Sequence, residues 1–114
     1  MLVAHAEEFL YTVFTPPGET PSDRMPDRAA IPAAIRMVQR NHAFVTADLG
    51  TYATIARQWG KPDVVEGYLR APWIRFLAPD RRIAWQRGDY SSRKGDLSGK
   101  LKFLQAFVKA MSDA

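Results

Sequence analysis

The stretch from Thr51 to Arg87, TYATIARQWGKPDVVEGYLRAPWIRFLAPDRRIAWQR, decides how the chain is read. Tyr52, Ile55, Ala56 and Trp59 recur at helical spacing, with Thr51 in the position of an N-cap, and the run stops on Gly60 with Pro62 behind it. A second helical segment, Asp63 to Arg70, follows almost without a linker, which is the arrangement of a helix-turn-helix. After Pro72 the composition changes. Trp73 to Leu77 and Arg82 to Arg87 are rich in strand-favouring residues, and Ala78-Pro79-Asp80-Arg81 between them has proline where a four-residue turn needs its φ fixed. Those two runs predict a basic β-hairpin. Two helices and such a wing predict an α+β chain built as a winged helix-turn-helix.

The flanking sequence is expected to complete one domain of 114 residues. Residues 1–29 read as a short strand region, Glu7 to Thr15, with a helix extended backward into the Ala-rich start left open by the periodicity, followed by a loop that Pro16, Pro17, Gly18, Pro21 and Pro26 keep from continuing any regular element. Residues 30–114 read as the winged domain. Its support helix begins near Ile31, with Pro32 tolerated in the first turn and Ile35 and Val38 on an apolar stripe that ends near Asn41. Phe44 to Ala47 is a packed connection or a brief strand. Gly88 to Asp96 is loop-like. Leu101, Leu104, Phe107, Val108 and Met111 predict a closing amphipathic helix from Ser98 to Met111.

Composition narrows the chemistry. The chain has no cysteine, which closes disulfides, thiolate metal sites and thiol nucleophiles. His5 and His42 stand alone, without a second ligand at a metal-binding interval, so no metal or cofactor is expected. No apolar run reaches 18 residues and no basic leader precedes Met1-Leu-Val-Ala, so the expectation is a soluble, cytoplasmic protein with no membrane contact. Charge is unevenly spread. Up to Ala56 there are four Arg against six acids, whereas from Arg57 onward 12 Lys and Arg face six acids, which points to a polyanionic partner.

The order of motifs resembles that of the alkyltransferase-like proteins, the cysteine-free relatives of the alkylguanine-DNA alkyltransferases. It rests on Thr51-Tyr52-Ala-Thr-Ile55-Ala56, on Gly60-Lys61-Pro62, on Pro72-Trp73-Ile74-Arg75 where the enzymes carry Pro-Cys-His-Arg, and on Gly88-Asp89-Tyr90-Ser91. The resemblance implies a DNA-binding protein without enzyme activity, concerned with DNA repair. In it Tyr52 presses on the phosphate beside a flipped nucleotide, Trp73 lines the place of the base, and Arg70, Arg75, Arg81 and Arg82 meet the backbone. Thr51, Lys61, Tyr68, Arg93 and Lys94 join that DNA-binding set. The chain also departs from the family: Ile74 replaces the signature histidine, Val64 falls where the family inserts an arginine, and the span from Gly60 to Pro72 is shorter.

Other readings of the same residues stay open. Val64 to Arg70 would read the major groove if the chain were a transcription or mobile-element regulator, and the stripe of the last helix would then serve a homodimer. A small interaction or inhibitor protein built on a DNA-binding fold is the third reading. Tyr52 is equally suited to a half-buried helix position, and Trp73 and Trp85 to packing on the closing helix.

Overall fold

The computed structural model describes residues 1–20 and 24–114; Pro21, which the predicted loop includes, lies outside them. The chain is mostly helical, with one two-stranded parallel sheet, and it divides into two compact units. Unit one is Met1–Tyr52 with Gly99–Ala114, and unit two is Ala53–Ser98. The sequence boundary expected near residue 30 falls inside unit one.

In unit one, β1 (Leu2–Val3) pairs in parallel with β2 (Phe44–Val45), Leu2 opposite Phe44 and Val3 opposite Val45. The strand expected from Glu7 to Thr15 is instead a helix, α1 (Glu8–Thr12). The reason is visible in what is buried. Ala6, Phe9, Leu10 and Phe14 are covered, a spacing of three, four and eight, while Tyr11, Thr12 and Val13 between them face solvent. Strand-favouring residue types concealed a helical period. The support helix α2 (Ile31–Arg40) forms as expected, with Pro32 in its first turn, Ile31 and Ala34 buried, and Asn41 closing it by donating from Nδ2 to the Met37 carbonyl at 2.8 Å. Asp27 caps the 3-10 turn ahead of it, accepting from the Ala29 amide at 2.9 Å.

The core of unit one is a set of four phenylalanine rings shared by α1, its flank and the last helix, α6 (Ser98–Asp113). Phe9 and Phe14 lie 4.9 and 5.1 Å from Phe107, and Phe14 meets Phe103 edge-on at 4.8 Å. Leu104 and Phe107 of the expected stripe of α6 are fully buried, as is Phe103, which the stripe did not include, while Leu101, Val108 and Met111 are half-buried. Each buried ring stabilises by about 1.5–3 kcal/mol through removal of apolar area, with roughly 0.5–1.5 kcal/mol more for each well-placed ring pair.

The helix α3 (Leu49–Gln58) begins in unit one and ends in unit two, where α4 (Pro62–Arg70) follows it. Thr51 lies inside α3 rather than capping it, and its hydroxyl donates to Asp48 Oδ1 at 3.0 Å. Between α3 and α4 the backbone turns at Gly60, φ +68°, a conformation that L side chains rarely adopt. The Gly60 amide donates to the Tyr90 carbonyl at 3.1 Å, which ties the turn to the Gly88–Gly95 loop.

The hairpin wing is absent. Pro72–Phe76 is a 3-10 turn, and Pro79–Gln86 is a helix, α5. Proline is the cause in both cases. The residues before the prolines, Ala71 and Ala78, are extended at ψ 143° and 144°, as the proline ring requires, and each proline then occupies the first helical turn, where its missing N–H costs nothing. Asp80 sits favourably in the first turn of α5, and Arg81, Arg82, Ala84, Gln86 and Arg87 favour helix over strand. Ile83 and Trp85 alone do not outweigh them.

Candidate nucleic-acid interface

Unit two carries the charge of the molecule. Its 46 residues, 53–98, hold nine Lys and Arg against five Asp and Glu, a balance of +4, whereas unit one holds seven of each and is neutral. Among the described residues of unit two, one arginine is ion-paired: Arg70 Nη2 meets Glu66 Oε1, one helical turn back. Among the described residues, Arg57, Arg75, Arg81, Arg82 and Arg87 carry no ion pair to an acid.

Beside these cations lies a cluster of three rings. Tyr68, in the last turn of α4, is 5.3 Å from Trp85 of α5 and 6.0 Å from Trp73 of the 3-10 turn, and the two tryptophans meet edge to face at 6.1 Å and 82°. Trp73 is 46% exposed despite those contacts. Next to it Phe76 is 79% exposed, with the Arg75 guanidinium 4.8 Å from its ring centroid. On α5, Arg81 lies one turn before Trp85, on the same face of the helix, and Arg82 stands beside it. A cleft of about 440 Å³ runs beside α4, and Val65, Leu69, Arg87 and Ser91 line it together with Trp85, not Trp73.

A second aromatic site has a structural role. Trp59 stacks on Tyr90 at 6.3 Å, donates from its indole N–H to the Lys94 carbonyl at 2.8 Å, and is covered by Arg93 at 5.8 Å. A Cβ on Gly60 would stand 2.9 Å from the Arg93 carbonyl oxygen, so close approach as well as backbone conformation requires glycine there.

The residues singled out from the sequence therefore separate into groups. Tyr68, Trp73 and Arg75, with Arg81 and Arg82 on α5, come together in unit two. Lys61 is exposed at the turn before α4, Arg70 is held by Glu66, and Arg93 and Lys94 serve the Trp59 site. Thr51 and Tyr52 belong to unit one. Tyr52 is 5% exposed, and burial, then the neighbouring Tyr11 and the Glu7 carboxylate, push its phenol up to about 12, so it does not present a hydroxyl to a phosphate at the surface. Sequence reasoning passed over Phe76 and treated Trp85 as core. The signal available was the interval of three from Trp73 to Phe76 directly behind a proline, which fits a 3-10 turn as readily as a strand.

The exposed face of α4 bears Asp63, Glu66, Gly67 and Arg70, with its one cation already neutralised. Among the described residues, no three His, Cys, Asp or Glu gather to hold a metal ion, and no helix is long and apolar enough to cross a membrane. No protein family, no curated protein and no solved structure matches the chain.

Proposed function

We propose that the chain is a non-enzymatic nucleic-acid-binding protein whose contact surface is the 3-10 turn and α5 of unit two. One observation carries this reading: exposed rings, Trp73 and Phe76, share a short segment with unpaired arginines, in the unit that holds all of the net charge. Stacking on a base contributes about 1–3 kcal/mol per base, and each phosphate met by an arginine releases a condensed counterion. Extruding a base from a duplex costs a few kcal/mol, so two rings and several arginines suffice to offset it.

The shared motif order with the alkyltransferase-like proteins belongs to this proposal, with a different division of labour. The α3–Gly60–α4 unit stands as its helix-turn-helix, α5 takes the position expected of the wing, and Arg75, Arg81 and Arg82 supply the phosphate contacts that the resemblance gave to Tyr52. Reading of the major groove by α4 is disfavoured, because Asp63 and Glu66 on its exposed face would meet the phosphates of the groove walls.

Fluorescence anisotropy of labelled oligonucleotides tests the proposal. Binding is expected at about 50 mM salt, weakening steeply by about 200 mM as counterion release requires. Absence of binding at the lower salt, or affinity that ignores salt, would overturn it.

A further inference from the structure

We infer that this surface takes single-stranded nucleic acid in preference to a duplex, with one base held between the rings of Trp73 and Phe76. The inference rests on the nucleic-acid reading above and names its occupant. In a 3-10 turn, side chains at i and i+3 eclipse, so Trp73 and Phe76 leave Pro72–Phe76 on the same side, about 6 Å apart along its axis. A planar base between two rings needs a van der Waals gap on each face, roughly 7 Å from ring to ring. Rotation about the side-chain bonds supplies the difference.

The two rings are held in different ways, and both remain exposed, Trp73 at 46% and Phe76 at 79%. Trp73 is braced by Tyr68 at 6.0 Å and by Trp85, edge to face, at 6.1 Å. Phe76 carries the Arg75 guanidinium on one face. Among the described residues no ring stacks on Phe76, and the rings of Trp73 and Phe76 do not close on each other. A flat, unpaired ring can enter between two such rings, whereas a base held in a stacked pair cannot. Arg75, between the two in sequence, and Arg81 and Arg82 on the neighbouring helix bring charge to the backbone on either side of that base. A duplex would lean instead on α4, whose exposed face is acidic. Stacking does not read the sugar, so DNA and RNA strands of one sequence should bind alike.

Four labelled probes of about twelve nucleotides, offered to the full chain at one salt concentration, separate the alternatives: a DNA strand, the same strand as RNA, a blunt duplex, and an abasic strand of equal charge. The two base-bearing strands should bind at least about tenfold tighter than the duplex and the abasic strand. Phe76→Ala should weaken strand binding about fivefold to tenfold and be rescued by Phe76→Trp. Thermal melting checks that the variants fold, which the exposure of Phe76 favours. Equal affinity for duplex or abasic strand, or an unaltered Phe76→Ala titration, would overturn the inference while leaving nucleic-acid binding in place. Failure of every probe would remove the proposed function itself.

Discussion

The two units use aromatic residues in opposite ways. In unit one, Phe9, Phe14, Phe103 and Phe107 bury their faces against one another, and the charges around them balance. In unit two, Tyr68, Trp73 and Trp85 also gather, yet Trp73 and the neighbouring Phe76 face solvent among unpaired arginines. Aromatic content alone therefore says nothing of role. The discriminating features are how far a ring is exposed and which charges stand beside it. The comparison is broken most forcefully at Phe107, which is wholly buried. Phe107→Ala should cost about 3–5 kcal/mol in urea unfolding, since a cavity opens between Phe9 and Phe14, whereas Trp73→Ala should cost far less stability and most of the strand affinity. Similar stability losses for the two would erase the distinction.

Tyr52 gives unit one a pH signature of its own. Its phenol is neutral while buried and titrates near 12 instead of near 10. Between those values the unfolded chain releases a proton that the folded chain retains, so stability is intact below about pH 10 and falls as pH rises toward 12, by about 2–3 kcal/mol in all. Denaturant titrations between pH 9 and 12 should show that decline, and Tyr52→Phe should flatten it. An unchanged decline in the variant would assign the effect elsewhere.

Within unit two, the glycines of the helix pair sharpen the contrast between a clamped turn and an open face. Gly60→Ala forces a side chain into positive φ and against the Arg93 carbonyl, at an expected cost of about 1–3 kcal/mol. Gly67→Ala, in the exposed interior of α4 with nothing within 4 Å of its new Cβ, should instead stabilise by about 0.5–1 kcal/mol. Thermal melts of both variants provide the measurement, and a Gly60→Ala protein as stable as the parent would show that the turn is not held by the Gly88–Gly95 loop.

Four helices were legible in the sequence: α2, α3 and α6, where Ile35 and Val38, Tyr52 and Ile55, and Leu104 and Phe107 recur at helical spacing, and α4, where Asp63 to Arg70 follows Pro62. Two segments were misread for a common reason. From Glu7 to Thr15 and from Trp73 to Arg87, β-branched and aromatic types suggested strands, but residue preference for strand is largely a matter of packing context. In α1 the buried set Ala6, Phe9, Leu10 and Phe14 imposed a helical period. In α5, Pro79 served as a helix start rather than a turn corner, and nothing local distinguishes those uses of proline. The candidate site was legible in its arginines and in Trp73, because charge asymmetry is additive along the chain. Phe76 escaped notice because its exposure depends on the 3-10 turn replacing a strand, and Tyr52 stayed open between a phosphate contact and a half-buried position because the residues near it, Tyr11 and Glu7, lie far away in sequence.

The smallest expected effects separate arginines that look alike in the sequence. Arg70 and Arg75 are five residues apart and both exposed, but Arg70 is ion-paired to Glu66 and Arg75 lies free over Phe76. An exposed pair one helical turn apart is worth only about 0.3–0.5 kcal/mol, so its significance here is electrostatic neutralisation rather than stability. Arg75→Ala and Arg82→Ala should each lower the slope of log affinity against log salt by about 0.7 on a single strand, the value for one phosphate contact. Arg70→Ala should lower it much less, and Glu66→Gln, which frees Arg70, should raise it by a fraction of one contact. Equal slopes for the Arg70 and Arg75 variants would mean that α4 meets the backbone as closely as the 3-10 turn does, and the contact surface would then have to extend over both.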